Sequence, residues 1–156
     1  MPEKPSLLIV DRNPNVREYL KRELGVEGYR IRLAENCRDM FRLISAAERI
    51  DLVIIDPDLP DVEGVSLFRK LEGLRPRVPV LIHTLVSDFR NRFGFPNEAQ
   101  FIEKDGNSID RLKHEIDNLL QGRLSSSAPL QPGSIKAGRS HLSGACKREA
   151  EQYNPK

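Results

Sequence analysis

Asp56 closes the apolar run Leu52, Val53, Ile54, Ile55 and opens the turn-rich stretch Pro57, Asp58, Leu59, Pro60, Asp61, Val62, Glu63, Gly64. A continuous apolar run of that length fits a strand covered on both faces. A carboxylate at its carboxyl end stands where parallel-sheet proteins meet their ligands. A turn-opening role alone also accounts for Asp56, because Asp, Pro and Gly cluster at turns for conformational reasons. Three further groups recur in the same position: Leu7 to Val10 runs into Asp11, Val80 to His83 into Thr84, and Phe101 to Glu103 into Lys104. A doubly wound parallel sheet lines up the carboxyl ends of its strands, so two carboxylates, a hydroxyl and an ammonium converge on one crevice. That combination is suited to meeting a charged ligand.

Positioning these groups requires helices between the strands, and the apolar periodicity supplies them. Val16, Tyr19, Leu20 and Leu24 recur at helical spacing, as do Met40, Phe41, Ile44 and Ala47, and Ile109, Leu112, Ile116, Leu119 and Leu120. Asn13 or Asp11 caps the first helix with Pro14 in its first turn, and Gly25 or Gly28 closes it. Ser108 caps the last helix, and Gly64 to Leu71 forms a shorter third one. With a second strand from Tyr29 to Ala34, the chain reads as an α/β, flavodoxin-like doubly wound (βα)5 sandwich. The five-stranded parallel sheet takes the order 2-1-3-4-5.

On these residues the chain resembles the receiver domain of bacterial two-component response regulators (CheY-like) over residues 6 to 121. The landmarks are Leu7 to Asp11 with Pro14, then Asp56 followed by Leu59, Pro60 and Gly64, then Thr84, then Lys104. The resemblance implies that Asp56 is a phosphoacceptor, taking a phosphoryl group from a sensor histidine kinase, a phosphotransfer protein or a small phosphodonor. It implies a Mg²⁺ held by Asp11, Asp56 and the backbone carbonyl of Asp58, with the Lys104 ammonium on the phosphate. It further implies that the Thr84 hydroxyl moves toward the phosphoryl group and that Phe101 changes rotamer with it. The chain is then a phosphoacceptor signalling domain, with at most slow autodephosphorylation, not a turnover enzyme.

Arg12 departs from the family pattern, which usually carries a second acid at that position. At about 5 Å and an effective dielectric of roughly 20, one unit charge pair is on the order of 3 kcal/mol, so Arg12 weakens the metal site. The long stem can carry its head to water. Alternatively the guanidinium bridges Asp56 and Asp11, or Asp56 and Asp58, imitating the metal. That outcome makes a phosphorylation-independent pseudo-receiver interaction module.

Leu85 to Gln100 is the second departure. Gly94 and Pro96 break a long helix, so the fourth helix is short or irregular. Phe89, Phe93 and Phe95 with Arg90 and Arg92 either fill core space or alter the face of the fourth helix, fifth strand and fifth helix. On that face the resemblance places a downstream protein or a homodimer partner.

The chain has 156 residues and 38% hydrophobic content, enough for one core. It lacks an apolar stretch near about 18 residues, so a bilayer span is not expected. Met1 to Pro5 has neither a basic start nor an apolar run, which argues against a signal peptide and for the cytoplasm. Cys37 and Cys146 are too few for a disulfide framework, and His83 and His114 read as structural or solvated. Residues 1–121 carry 19 Lys and Arg against 21 Asp and Glu, whereas residues 122–156 carry six against two. The domain is therefore 1–121, followed by a disordered basic tail rich in Ser, Gly and Pro. With neither an aromatic platform beyond Tyr153 nor a helix-turn-helix pattern, nucleic acid is disfavoured as a partner. Asp56 with Pro57, Asp58 and Leu59 also resembles the first motif of haloacid-dehalogenase-type phosphatases, but a later acidic pair and a cap segment are missing.

Overall fold

The strands of the sheet are short, and the central ones are apolar and buried on both faces. The computed structural model describes residues 3–46, 48–62, 65–74, 77–85 and 100–126. Five parallel strands, β1 (Ser6–Val10), β2 (Arg30–Ala34), β3 (Leu52–Ile55), β4 (Val80–Thr84) and β5 (Gln100–Glu103), form one sheet in the order β2-β1-β3-β4-β5. Between them run α1 (Pro14–Val26), α2 (Cys37–Ser45) and α3 (Val65–Glu72); a last helix spans Ser108–Ser126. This is the doubly wound (βα)5 order expected, and Met1–Gln121 forms one compact unit.

Alternation within the central strands explains their unbroken apolar character. Leu8, Val10, Val53 and Ile55 point into one core with Met40, Leu67 and Phe68 of α2 and α3. Leu7, Ile9, Leu52 and Ile54 point into the other with Leu20 and Leu24 of α1 and Leu112 and Ile116 of the last helix. A parallel sheet flanked by helices on both sides has no water-facing side to mark with polar residues. The edge strand β2 is partly exposed, and its Arg30 and Arg32 mark it as an edge.

Local signals set the helix ends. Asn13 caps α1, its side chain accepting from the Asn15 N–H, and Pro14 occupies the first turn, where its missing N–H costs nothing. Gly28, at φ 94°, makes the left-handed turn that returns the chain to β2. Ser108 is the first residue of the last helix, not the residue before it, and its hydroxyl lies 3.3 Å from His83 Nε2. Tyr19, read as part of the apolar face of α1, is 41% exposed and lies under the Arg22 guanidinium. The last helix continues to Ser126, five residues past the composition change at 121, so the stretch 122–126 is helical instead of unstructured. Extending an existing helix adds one hydrogen bond per residue fixed, which is enough to carry it through Gly122. Ala47, Gly64, the aromatic stretch from Phe89 to Pro96 with the fourth helix expected there, and the tail from residue 127 lie outside the described residues. Among the described residues no helix is long and apolar enough to cross a membrane.

Candidate functional site

Sheet register brings the four strand-end groups to one level. Val10 pairs with Ile55, Ile55 with Ile82, and Thr84 with Glu103. The ladder continues one residue further: Asp11 N–H donates to Ala34 O at 3.1 Å, Asp56 N–H to Val10 O at 2.9 Å and Lys104 N–H to Thr84 O at 2.9 Å. Each charged side chain therefore leaves a backbone already pinned to its neighbouring strand.

Their side chains meet as the sequence reading expected. Lys104 Nζ lies 2.6 Å from Asp11 Oδ2 and 2.5 Å from Asp56 Oδ2. Thr84 Oγ1 donates to Asp56 Oδ1 at 2.9 Å, and the Asp58 N–H donates to the same oxygen at 2.9 Å. Asp11, Asp56 and Thr84 are all buried. Burial alone pulls the Lys104 ammonium down, but its hydrogen bonds to Asp11 and Asp56 outweigh that and hold its pKa above the ordinary lysine value. Among the described residues every buried side-chain nitrogen and oxygen has a partner. Phe101 is half-buried and packs against the core on the α2 and α3 side.

Arg12 takes neither bridge that reached Asp56. Its guanidinium pairs with the Asp58 carboxylate at 3.0 Å, and the two side chains are 61% and 52% exposed. The long stem carries the charge to the rim, and Lys104 is the cation that joins Asp11 to Asp56.

Arg17 and Asp61 escaped sequence reasoning, and Asn13, expected only as a helix cap, makes a further contact to Asp11. Asn13 donates its N–H to Asp11 Oδ1 at 2.8 Å, and Arg17 Nη1 donates to the Asp11 backbone carbonyl at 2.7 Å, so the start of α1 holds both the carboxylate and the main chain of Asp11. Asp61, five residues beyond Asp56, accepts from the N–H groups of Cys37 and Arg38 at 2.8 and 3.0 Å, while Asn36 accepts from Asp39. These bonds satisfy the first donors of α2 and tie the Asp56 loop to that helix. Burial pushes the Asp61 carboxyl up, but the two N–H bonds more than offset it and its pKa is lowered. Burial first, then the Asp61 carboxylate, pushes the Cys37 thiol up to about 12, which leaves it unreactive. Asp61→Ala should lower stability by about 1 kcal/mol in urea unfolding, the typical worth of a cap. An unchanged midpoint means that the tether carries no load.

The donor set suits a hard divalent cation. Asp11 and Asp56 present two carboxylates to one point, and the Asp58 backbone lies against Asp56 through its N–H. Mg²⁺ is commonly held by one or two carboxylates with water and phosphate oxygens completing the shell. No cluster of three or more acidic, His or Cys groups that could hold a metal occurs among the described residues.

Residues 7–116 match the family described as the response regulator receiver domain. The chain belongs to that family. Its sequence is 36% identical to response regulator MprA of Mycolicibacterium vanbaalenii over 78 residues, covering 50% of this chain and 33% of that protein. It is 35% identical to the transcriptional regulatory protein GlrR of Escherichia coli K12 over 85 residues, covering 54% of this chain and 19% of that protein. The chain thus aligns with a third or less of these curated relatives. The structure of response regulator protein TrrA from Thermotoga maritima in complex with Mg(2+)-BeF gives a TM-score of 0.63 at 30% identity, covering 74% of this chain and 99% of that one. The complex of histidine kinase ThkA with TrrA gives 0.62 at 28%, covering 74% and 98%. As a receiver domain of response regulators, the chain belongs to two-component signalling. The haloacid-dehalogenase likeness, confined to Asp56 through Leu59, is set aside by a match that runs through the whole fold.

Proposed function

We propose that Asp56 accepts a phosphoryl group, and the hydrogen-bond count on its two oxygens carries this reading. Oδ1 accepts from both Thr84 and the Asp58 N–H, whereas Oδ2 meets Lys104 and keeps a lone pair. Oδ2 is therefore the attacking atom. Its lone pair forms the O–P bond as the donor's N–P or O–P bond breaks, and the departing histidine, or acetate in the case of acetyl phosphate, takes that electron pair. The Lys104 ammonium has three protons and can turn one toward a phosphoryl oxygen without leaving its place. Thr84, held on Asp56 Oδ1, is one hydroxyl rotation from the same oxygens. Asp11, Asp56 and the Asp58 carbonyl would hold Mg²⁺, which would supply further positive charge against the phosphoryl oxygens.

The donor is a sensor histidine kinase or a phosphotransfer protein, a partner class supported by the ThkA–TrrA complex. The domain acts as a phosphoacceptor with slow self-hydrolysis and not as a turnover phosphatase. A downstream protein or second copy docks on the side of β5 and the last helix, where Phe101, Ile102, Arg111 and His114 line an open hollow.

Intact mass after incubation with acetyl phosphate and Mg²⁺ tests the reading. Wild type should gain one phosphoryl adduct, and Asp56→Asn should gain none. Absence of an adduct on wild type overturns it. The pseudo-receiver reading draws on the Lys104 bridge, which satisfies both carboxylates without metal, and it predicts partner binding unchanged by Asp56→Asn.

A further inference from the structure

We propose that Arg12 is an exchangeable phosphoryl clamp: when Asp56 is phosphorylated, the guanidinium leaves Asp58 for the phosphoryl oxygens and takes over part of the neutralisation otherwise left to Mg²⁺. The proposal rests on Asp56 as phosphoacceptor and concerns the regulation of that same site.

Arg12 stands at the mouth. It follows Asp11 directly, and its partner Asp58 is the residue whose N–H holds Asp56 Oδ1. The 3.0 Å contact therefore places the guanidinium beside the loop that carries the acceptor.

Charge bookkeeping favours the exchange. Asp11, Asp56 and Lys104 together carry one net negative charge, and the Arg12–Asp58 pair carries none. Converting the Asp56 carboxylate to its acyl phosphate, at about −2 near neutral pH, adds one more negative charge. Lys104 supplies a single positive charge, which is already outweighed by the charge of Asp11 and Asp56. Arg12 is held by a single ion pair with both members more than half exposed, a type of contact that contributes little to stability and breaks readily. A guanidinium forms charge-assisted, two-pronged hydrogen bonds to phosphate oxygens, so the phosphoryl group outcompetes one solvated carboxylate. Asp58, two residues from the new charge, is repelled by it and released. In the unphosphorylated protein the same guanidinium, held on Asp58, keeps positive charge at the mouth and opposes a divalent ion there.

Two measurements on the full chain decide this. The first is the rate of adduct formation with phosphoramidate, by intact mass, at saturating Mg²⁺ and in excess chelator, on wild type, Arg12→Gln and Asp58→Asn. Wild type should retain labelling in chelator, Arg12→Gln should lose it by about tenfold or more, and Asp58→Asn, which frees the guanidinium, should match or exceed wild type. The second is calorimetric Mg²⁺ titration of unphosphorylated protein, where Arg12→Asp should bind about tenfold or more tightly than wild type. Equal losses in chelator for wild type and Arg12→Gln, or Mg²⁺ affinity indifferent to Arg12→Asp, overturn the clamp while leaving Asp56 as acceptor intact. Wild type that forms no adduct under either condition overturns both readings.

Discussion

Lys104→Met should cost the domain about 3 kcal/mol or more at neutral pH in chelator, because it removes the cation from between two buried carboxylates. Asp11 Oδ2 and Asp56 Oδ2 both contact Nζ, at 2.6 and 2.5 Å, so they are at most about 5 Å apart, and their side chains are 3% and 9% exposed. At that separation and an effective dielectric of about 20, like charges repel by roughly 3 kcal/mol. Met fills similar volume and brings no charge. The sign with pH follows from the raised Lys104 pKa: the folded protein holds this proton more tightly than the unfolded chain. The stabilisation is therefore complete below the ordinary lysine value and fades only as pH climbs through the higher folded value. Urea unfolding at neutral pH reads the full loss. The double variant Lys104→Met with Asp56→Asn should recover much of it, since one negative charge is gone. A double variant no more stable than Lys104→Met alone shows that lost packing, not unpaired charge, is the cause.

Acid should weaken the fold through His83. Burial, followed by the Lys104 charge, lowers its pKa to about 4, and the ring lies against Ser108 beneath the site. An unfolded chain protonates this imidazole below about 6.5, whereas the folded one stays neutral until about 4. Stability is therefore fully present above the unfolded value and is lost as pH falls through this window, by about 2 kcal/mol at pH 5 and about 3 kcal/mol in all. His83→Asn keeps a polar partner for Ser108 without the titration. Its stability deficit relative to wild type should shrink by about 2 kcal/mol between pH 7 and pH 5. A deficit constant across that range assigns the acid sensitivity to other groups.

How much of this was legible in the sequence depended on how local the cause was. The central strands were plain because double-sided burial leaves no polar residue to interrupt the apolar run at Leu7 to Val10 or Leu52 to Ile55. Convergence of Asp11, Asp56, Thr84 and Lys104 followed from topology alone, since parallel strands share one carboxyl edge. The edge strand was harder. Tyr29 reads as its first residue, yet the strand begins at Arg30 while the Tyr29 hydroxyl reaches Asp117 on the last helix at 2.6 Å. That bond crosses the fold and has no signature in the sequence near Tyr29. Asp61 was invisible as a cap for the same reason: its partners lie at Cys37 and Arg38, and Asp61 itself sits in a run that already explains its carboxylate as a turn former. Arg12 is foreign by residue type to an acidic pocket, but its direction depends on an exposed partner two residues beyond Asp56, and side-chain exposure does not follow from spacing.

The backbone amides that anchor Asp11, Asp56 and Lys104 are ladder donors within a sheet packed on both faces. Such amides are released to solvent only in the rarest, most global openings of a domain, so the floor of the site shares the lifetime of the fold itself. The site cannot hinge at its base. On the proposed reading, a change brought by a phosphoryl group is carried by parts rooted outside that ladder, the Thr84 hydroxyl and the exposed Arg12–Asp58 pair at the rim.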